Sequence, residues 1–315
     1  MSSAPAQPLF VYGALRSGTT LLRLMLKHHS AIQSPGEADF LFDFVNCKPD
    51  GRWRYDREGL AKSRIFRAKN IAMPAAEVNG GDMAHALVRA MMQDVTPDGP
   101  GYMSLSIHRN AAKMHALFPD TKVIHLLRDP RDVARSSIGM GWAGTSYHGV
   151  GHWVGTEMQW DDAAYPEDQV LTVQFETLMA NLEAELTRIC AFLGLDFEPG
   201  MLRYYENSTY GPPDPGISQK WRQTATPREV ALIEGRVGPL LAARGYDPAG
   251  DPATPGAVEG LRLNLENRWK RWRYNMRRYG LPLFLGHHAA RLLRLSGIED
   301  RLAARQEAIR IKRLQ

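Results

Sequence analysis

The segment Gly13–Leu22 carries the residue types of an anion-binding loop. It follows the apolar, strand-like run Leu9–Tyr12 and leads into a helical pattern that begins at Thr19. Backbone N–H groups in a strand-to-helix turn point into one concavity, and the positive end of the helix dipole adds to the attraction for phosphate. The alternative is an ordinary tight turn. If the loop binds phosphate, we expect the contacts from Arg16, Ser17, Gly18, Thr19, Thr20 and Leu21.

A second basic, hydroxyl-bearing cluster follows the predicted buried strand Lys122–Leu127. Arg128 would lie at the carboxyl end of that strand, which is the edge where open α/β sheets bind ligands. Ser136 comes about two helical turns later and can face the same edge. A guanidinium and a hydroxyl that converge suit a monophosphate. In the alternative, the charges of this loop only pair with one another: Arg128, Asp129, Arg131 and Asp132.

Together the two clusters resemble the PAPS (3′-phosphoadenosine-5′-phosphosulfate)-dependent sulfotransferases, in particular the branch of tyrosylprotein and many bacterial sulfotransferases. The resemblance covers roughly residues 9–247. Arg16–Leu21 is similar to the family's 5′-phosphosulfate loop, and Leu127–Val133 with Ser136 is similar to its 3′-phosphate motif. Phe175–Leu178 and Leu182–Leu195 resemble the segment that follows. The family's mobile loop over the nucleotide resembles Gly216–Arg222, which includes Lys220, Trp221 and Arg222.

The resemblance implies a cofactor and a reaction. The cofactor would be PAPS, with PAP as the product and no metal ion. The acceptor would be a hydroxyl of a saccharide, of a lipid-linked or small molecule, or of tyrosine. Sulfuryl transfer, like phosphoryl transfer, is expected to pass through a loose in-line transition state that builds charge on the bridging oxygen. Arg16 would stabilise that leaving group.

Glu37 is the first candidate for the general base. It follows Arg16 by 21 residues, and the similar branch places a catalytic glutamate at that spacing. Alternatively, Glu37 neutralises Arg16 or caps a helix. His108 is the rival base, because cytosolic-type members use a histidine from this region and imidazole suits the task.

Two departures from the family pattern concern the site. Ser106–His108 stands where related chains carry Lys-x-Pro, so the assisting lysine has no evident counterpart; Lys113, Lys220 or His108 could replace it. Phe175 stands where a tyrosine is common in related chains.

Two rival functions remain as alternatives. One is a non-catalytic PAP-binding or membrane-associated interaction protein. The other is a different P-loop enzyme, which the lack of a lysine at position 19 and of a clear magnesium carboxylate disfavours.

Strand-like runs alternate with helical patterns along the chain, which predicts an α/β fold: a P-loop-like, mostly parallel central sheet flanked by helices, with a C-terminal helical extension. The predicted strands are Leu9–Tyr12, Tyr102–Ile107, Lys122–Leu127 and Val170–Phe175, with Glu37 at the end of a further short strand or loop. The predicted helices are Thr19–His29, Asp82–Asp94, Arg109–Leu117, Asn181–Leu193 and Pro227–Arg244. Residues 207–216 are expected to form an ordered loop or lid. The Pro- and Gly-rich stretch 247–256 predicts a linker, so we expect a sulfotransferase-like domain at 1–250 and an extension at 257–315.

The composition is that of a globular protein, and the charge is unevenly distributed. Cys47 and Cys190 predict neither a disulfide framework nor a zinc site. Residues 1–8 show no signal peptide, and no apolar stretch is long enough to span a bilayer, so a cytoplasmic location is expected. Residues 257–315 hold 14 Lys and Arg against 5 Asp and Glu. Because the chain carries +5 in all, the first 256 residues carry −4.

The extension combines an apolar stripe with basic flanks. Leu261, Leu265, Trp269, Trp272, Met276 and Tyr279 recur at helical spacing, with arginines and lysines around them. Such a helix can lie on an anionic membrane surface, which would favour a lipid-linked acceptor. It can equally pack on the body or form a homodimer, whereas nucleic-acid binding is unlikely. In the loop after the second cluster, acceptor binding and simple packing are equal alternatives for Trp142, Tyr147, His148, His152 and Trp153.

Overall fold

The structure, a computed structural model, describes residues 7–92, 101–206, 208 and 210–312. Parts of four predicted segments lie outside these residues. They are Asp94 at the end of a predicted helix, Asn207 and Thr209 in the predicted lid, most of the segment examined for a signal peptide, and the last three residues of the extension.

Five parallel strands form the central sheet, in the order β2-β5-β1-β6-β7, and a two-stranded antiparallel ribbon, β3-β4, stands beside it. Helices flank this sheet, which confirms the predicted fold class. The strands are β1 Gln7–Tyr12, β2 Ile32–Glu37, β3 Val45–Cys47, β4 Trp53–Tyr55, β5 Tyr102–Ile107, β6 Val123–Leu127 and β7 Val170–Gln174.

Seventeen helices are formed by the described residues, together with short 3-10 turns at Glu167–Gln169, Pro199–Arg203 and Pro215–Ile217. The helices are α1 Thr19–Leu26, α2 Phe40–Asp43, α3 Arg57–Lys62, α4 Arg64–Ala68, α5 Gly80–Met92, α6 Ala111–Leu117, α7 Pro130–Gly139, α8 Ser146–Gly149, α9 Gly151–Ala163, α10 Phe175–Ala180, α11 Leu182–Leu193, α12 Trp221–Thr224, α13 Pro227–Val237, α14 Leu240–Ala243, α15 Ala257–Tyr279, α16 Leu281–Leu292 and α17 Ser296–Lys312.

Strand β1 shows how the sheet is buried on both faces. Leu9 and Val11 face a core that includes α1 and α11, whereas Phe10 and Tyr12 face a second core that includes α5 and α6. Alternate side chains of a strand point to opposite faces, so an apolar run with both faces covered is what a central parallel strand requires. Because the five strands are parallel, the segments that follow β1, β2, β5 and β6 meet at one edge.

Two predicted segments differ from the structure. The single helix predicted for Pro227–Arg244 is divided into α13 and α14 at Gly238, whose φ of 61° and ψ of −140° interrupt helical geometry. The predicted loop after the second cluster is largely helical. Tyr147 and His148 lie in α8, and His152 and Trp153 lie in α9.

The Pro- and Gly-rich stretch 247–256 packs against the body. The backbone N–H of Ala253 donates to the carbonyl of Ala231 in α13 at 2.8 Å. A Cβ at Gly235 would lie 2.1 Å from the Ala253 carbonyl oxygen, so α13 and this stretch are in direct backbone contact.

The polar side of α15 contacts the body. Asn267 accepts a hydrogen bond from the Gly144 N–H at 2.7 Å, and Asn264 lies 2.9 Å from His148 Nε2. The predicted six-residue stripe is divided: Leu261, Leu265 and Trp269 are exposed, whereas Trp272 packs on Phe284 of α16. In the part of the chain that the structure describes, every helix is too short or too polar to cross a membrane.

We predict that Gly235→Ala destabilises the protein by about 1–3 kcal/mol, because the added methyl must displace the backbone at Ala253. Gly155→Ala is the matched control. It lies in a helix with open space around its Cβ position and should stabilise by up to about 1 kcal/mol. Urea unfolding measures both values, and a Gly235→Ala variant as stable as the native chain would contradict the packing of 247–256.

Candidate active site

The loop between β1 and α1 is held close to Phe175. Gly18 has φ 98°, and a Cβ there would lie 2.4 Å from the Phe175 ring, so this position requires glycine on both counts. The loop directs Ser17 into the interior, while the half-buried Thr20 borders a cavity and Leu21 joins the core.

Arg16 joins this loop to the second cluster. Its backbone lies in the left-handed region at φ 74°, which costs a non-glycine residue about 1–3 kcal/mol. Two contacts hold it there. Its Nε donates to Ser136 Oγ at 2.9 Å, and its carbonyl accepts from Arg128 Nη1 at 3.2 Å. The structure therefore brings Arg16, Arg128 and Ser136 together at the edge of the sheet, although 112 residues separate the two arginines.

The Arg128 guanidinium lies over the Phe175 ring, 4.4 Å from its centroid. Its Nη2 donates to the Ile217 carbonyl at 2.9 Å, and its nearest carboxylate, Asp132, is 4.0 Å away. Burial lowers the pKa of Arg128, whereas the charges of Asp132 and Glu176 oppose that change. The guanidinium thus stays cationic and is only weakly neutralised.

The alternative in which the charges of the second cluster pair with one another holds closely for Arg131, whereas Arg128 reaches Asp132 only at 4.0 Å. Arg131 Nε donates to Asp129 Oδ1 at 2.8 Å, and its Nη1 donates to Glu234 at 2.6 Å. The Trp221 indole completes this buried group. It donates to Asp129 at 2.8 Å and lies 3.9 Å from the Arg131 guanidinium.

The predicted nucleotide-covering segment is held at two residues, at Ile217 through its hydrogen bond from Arg128 and at Trp221. Trp221 is buried beneath it, and its backbone N–H also bonds Asp132 at 2.9 Å. Lys220 and Arg222 are exposed on either side of this anchor. Trp221 therefore fixes the segment, whereas Lys220 and Arg222 keep solvent-facing cationic groups beside the site.

His108 lies directly behind the loop, in a buried chain of polar groups. Its Nδ1 is 2.8 Å from Asp39 Oδ2, its backbone N–H donates to Asp39 Oδ1 at 2.8 Å, and its Nε2 is 3.2 Å from Thr19 Oγ1. Burial alone would raise the pKa of Asp39, but the hydrogen bonds and charge of His108 outweigh it and hold that pKa below its usual range. A carboxylate on Nδ1 favours the tautomer whose Nε2 accepts a proton.

Glu37 ends β2 and is exposed at the same edge. It pairs in register with Ser106 of β5, and Ser106 pairs with Val11 of β1. Two strand spacings separate Glu37 from β1, which is roughly 10 Å. Strand β5 lies between them, so Glu37 and the loop reach the same edge of the sheet from two strands that are not neighbours.

Other sequence candidates lie elsewhere. Lys113 cannot replace the absent lysine, because its ammonium bonds the carbonyls of Phe42 and Val45 at 3.2 and 2.7 Å. Of the proposed acceptor-pocket residues, Trp153 is fully buried and donates to the Arg128 carbonyl at 3.0 Å. His148 contacts Asn264 of the extension, and the Arg236 guanidinium lies over the Tyr147 ring.

His152 and Trp142 remain near the loop. His152 Nε2 is 3.0 Å from the Leu15 carbonyl, and burial together with the charge of Arg16 lowers the pKa of His152. Its ring lies at right angles to the exposed Trp142, with the centroids 5.9 Å apart.

A cavity of about 110 Å³ lies between the loop, Arg128, Phe175 and Ile217. It is small beside the ~300–1,000 Å³ of ordinary ligand sites, and the segment with Ile217 covers it. Four buried polar atoms in this region make no hydrogen bond to a described residue: Ser17 Oγ, Ser218 Oγ, Arg128 Nε and Asp132 Oδ2. Such groups require a partner; the first three can donate to phosphate oxygens, whereas the carboxylate oxygen of Asp132 accepts. Within the described ranges, no group of His, Cys, Asp and Glu is arranged to hold a metal ion.

The sequence analysis missed Asp39. No local pattern joins it to His108, which lies 69 residues away. The only hint in the sequence is that Asp39 is an acidic residue shortly after a short strand and directly before the apolar run Phe40–Phe42.

We predict that Asp39→Asn lowers the free energy of unfolding by about 1–3 kcal/mol at about pH 7. Because the folded-state pKa of Asp39 is depressed, its carboxylate stabilises the fold above the unfolded pKa of about 3.9, and this contribution is lost as pH falls through the lower folded value. The deficit should therefore shrink below about pH 4. Urea titrations across this range measure it, with the exposed Asp162→Asn as the neutral control; a deficit independent of pH would contradict the assignment.

Comparisons with known proteins establish the family and the fold of this chain. The Sulfotransferase family model matches residues 8–199. The chain is similar to protein-tyrosine sulfotransferase A of Caenorhabditis elegans, with 24% identity over 283 residues, covering 80% of this chain and 70% of that protein. It is also similar to protein-tyrosine sulfotransferase 1 of Danio rerio, with 24% identity over 82% of this chain and 78% of that protein.

Among solved structures, the sulfotransferase domain of the Synechococcus PCC 7002 olefin synthase has the same fold. Its TM-score is 0.55 at 22% identity, over 74% of this chain and 95% of that domain. With the family match extending over more than half of the residues, this chain belongs to the sulfotransferase family and is a sulfotransferase enzyme.

Proposed function

We propose that this enzyme transfers the sulfuryl group of PAPS to an acceptor hydroxyl, with PAP as the product. The observation that carries the proposal is the convergence of Arg16, Ser136 and Arg128 from two separate loops onto one edge of the sheet. A nucleotide with phosphates at both its 5′ and 3′ positions matches two cationic groups joined in this way.

Phosphate binding at the loop is supported by the buried donors without partners. Ser17 Oγ and Arg128 Nε would donate hydrogen bonds to phosphate oxygens, and the start of α1 adds N–H groups and the helix dipole. The cavity holds only a phosphate-sized group, so the segment around Ile217 must move outward to admit adenosine. Its hydrogen bond to Arg128 would then be exchanged for the 3′-phosphate.

Arg16 would stabilise the leaving phosphate. Its side chain is exposed and already aligned by Ser136, so its remaining guanidinium N–H groups can reach the bridging oxygen as charge builds there. Arginine cannot act as the proton donor, because its pKa exceeds about 12. Its contribution is therefore electrostatic.

Glu37 is proposed as the general base and His108 as the alternative. Glu37 is exposed, so an acceptor can reach its carboxylate across the gap from the loop. His108 has the better-oriented imidazole, but both of its ring nitrogens are engaged and it is only 3% exposed. In this proposal His108 orients Thr19 within the loop.

The tyrosine hydroxyl is the first acceptor to test, because two similar proteins carry the name protein-tyrosine sulfotransferase. Saccharide, lipid-linked and small-molecule hydroxyls are the alternatives. A cytoplasmic location and a homodimer stay predictions.

We predict that the native chain binds PAP without added metal and that Arg128→Ala weakens binding by about 10–100-fold, the loss expected for charge-assisted hydrogen bonds. Arg135→Ala is the matched control. It removes an arginine of α7 that does not line the cavity and lies 3.9 Å from Glu229. Calorimetry in the presence of a chelator measures the affinities; equal losses in both variants, or no binding by folded native protein, would refute the site.

We predict that Glu37→Gln lowers turnover by about 10²–10⁴-fold while PAP affinity is retained. Radiolabelled sulfate transfer from PAPS to a panel of tyrosine peptides, phenols and saccharides supplies the assay, with the exposed Glu167→Gln as control. If His108→Gln abolishes transfer and Glu37→Gln does not, His108 is the base.

A further inference from the structure

A groove of about 540 Å³ lies between α15 and α16 in the extension and is also lined by Gln306 of α17. Its walls carry Arg268 and Arg271 from α15 and Arg291 from α16, and two histidines of α16, His287 and His288, lie beside them. Aspartate and glutamate are absent from the described residues that line it.

The positive charge of this groove is not neutralised internally. Among the described residues, none of the three arginines forms an ion pair; Arg268 lies over the Trp272 ring at 5.5 Å. Both acids of α15 are engaged elsewhere, since Glu259 pairs with Arg228 and Glu266 pairs with Lys270. Converging arginines without a carboxylate partner suit the phosphate of an anionic ligand.

An apolar surface continues from the groove along the same helix face. Leu261 and Leu265 precede Trp272 by eleven and seven residues, so the helical repeat places them in line with it. Leu261 and Leu265 are each 61% exposed and Trp269 is 59% exposed. On α16, Leu281 and Leu285 are exposed as well.

Contacts with the body fix which side of α15 faces outward. Asn264 and Asn267 bind the segment 144–148, and Tyr274 packs on Gly141. The leucines and Trp269 lie away from these contacts and cannot be covered by the body without breaking them. A cationic groove bordered by exposed leucines and a tryptophan combines the two features of a membrane-surface helix.

We propose that this groove binds the phosphate headgroup of an anionic phospholipid while Leu261, Leu265 and Trp269 enter the lipid interface, so that the enzyme docks on an anionic membrane. A free anion would use the arginines but not the leucines, and a nucleic acid would use the charge alone. The lipid is the ligand that satisfies both surfaces at once. The proposal does not depend on the sulfotransferase reaction.

The test is co-sedimentation of the full chain with phosphatidylcholine vesicles and with vesicles that also contain phosphatidylglycerol. The native chain should sediment only with the second kind. Arg271→Gln with Arg291→Gln, and separately Leu261→Ser with Leu265→Ser, should each lower the partition by about tenfold or more. Arg52→Gln with Arg54→Gln is the charge-matched control, because both arginines are exposed on the body of the protein, away from the extension, and it should change the partition by less than about threefold.

Retained PAP binding and circular dichroism confirm that each variant is folded. Equal loss in the groove and control variants would reduce the effect to general electrostatics and overturn the site. Binding of inorganic phosphate without vesicle binding would make it a free-anion site, which also overturns the proposal. A native dimer that the leucine variant converts to monomer, with no vesicle binding, would assign the apolar face to a second copy of the chain.

Discussion

The arrangement of the candidate site depends on the backbone of Arg16. The left-handed conformation of this residue is unfavourable by itself, and it is maintained by Arg128 on its carbonyl and Ser136 on its side chain. These contacts join the loop after β1 to the loop after β6 and to helix α7. Because Arg128 and Ser136 both contact Arg16, the two guanidinium groups are in place before any ligand arrives. The site is therefore preorganised.

Two buried polar groups support this arrangement from below. The chain Asp39–His108–Thr19 fixes the floor of the first loop, and the group of Asp129, Arg131, Glu234 and Trp221 fixes the start of α7 and the segment that covers the cavity. Buried charges of this kind are tolerated because each is paired and hydrogen-bonded. With Glu37 as the proposed base, these residues position the site, so their removal should loosen it without removing a reacting group.

The apolar runs of the central strands were sufficient to predict the sheet, and the rule that ligands gather at strand ends brought Arg16, Arg128 and Ser136 together correctly. Helix α9 was missed because its apolar residues do not fall on one face, and the ribbon β3-β4 was missed because three-residue strands leave no periodicity. The Asp39–His108 contact could not be predicted either, since it depends on how β2 and β5 are placed beside each other. The extension's stripe was recognised, but the return of α16 over Trp272 needed the tertiary structure.

The central claim is that the two loops form one site for a nucleotide with phosphates at both ends. The most direct test compares the affinities of the native chain for PAP and for adenosine 5′-monophosphate, by calorimetry with a chelator present. The account predicts that PAP binds more tightly by about tenfold or more, because only PAP places a phosphate on Arg128. Equal affinities, or no binding of either nucleotide by folded protein, would contradict it.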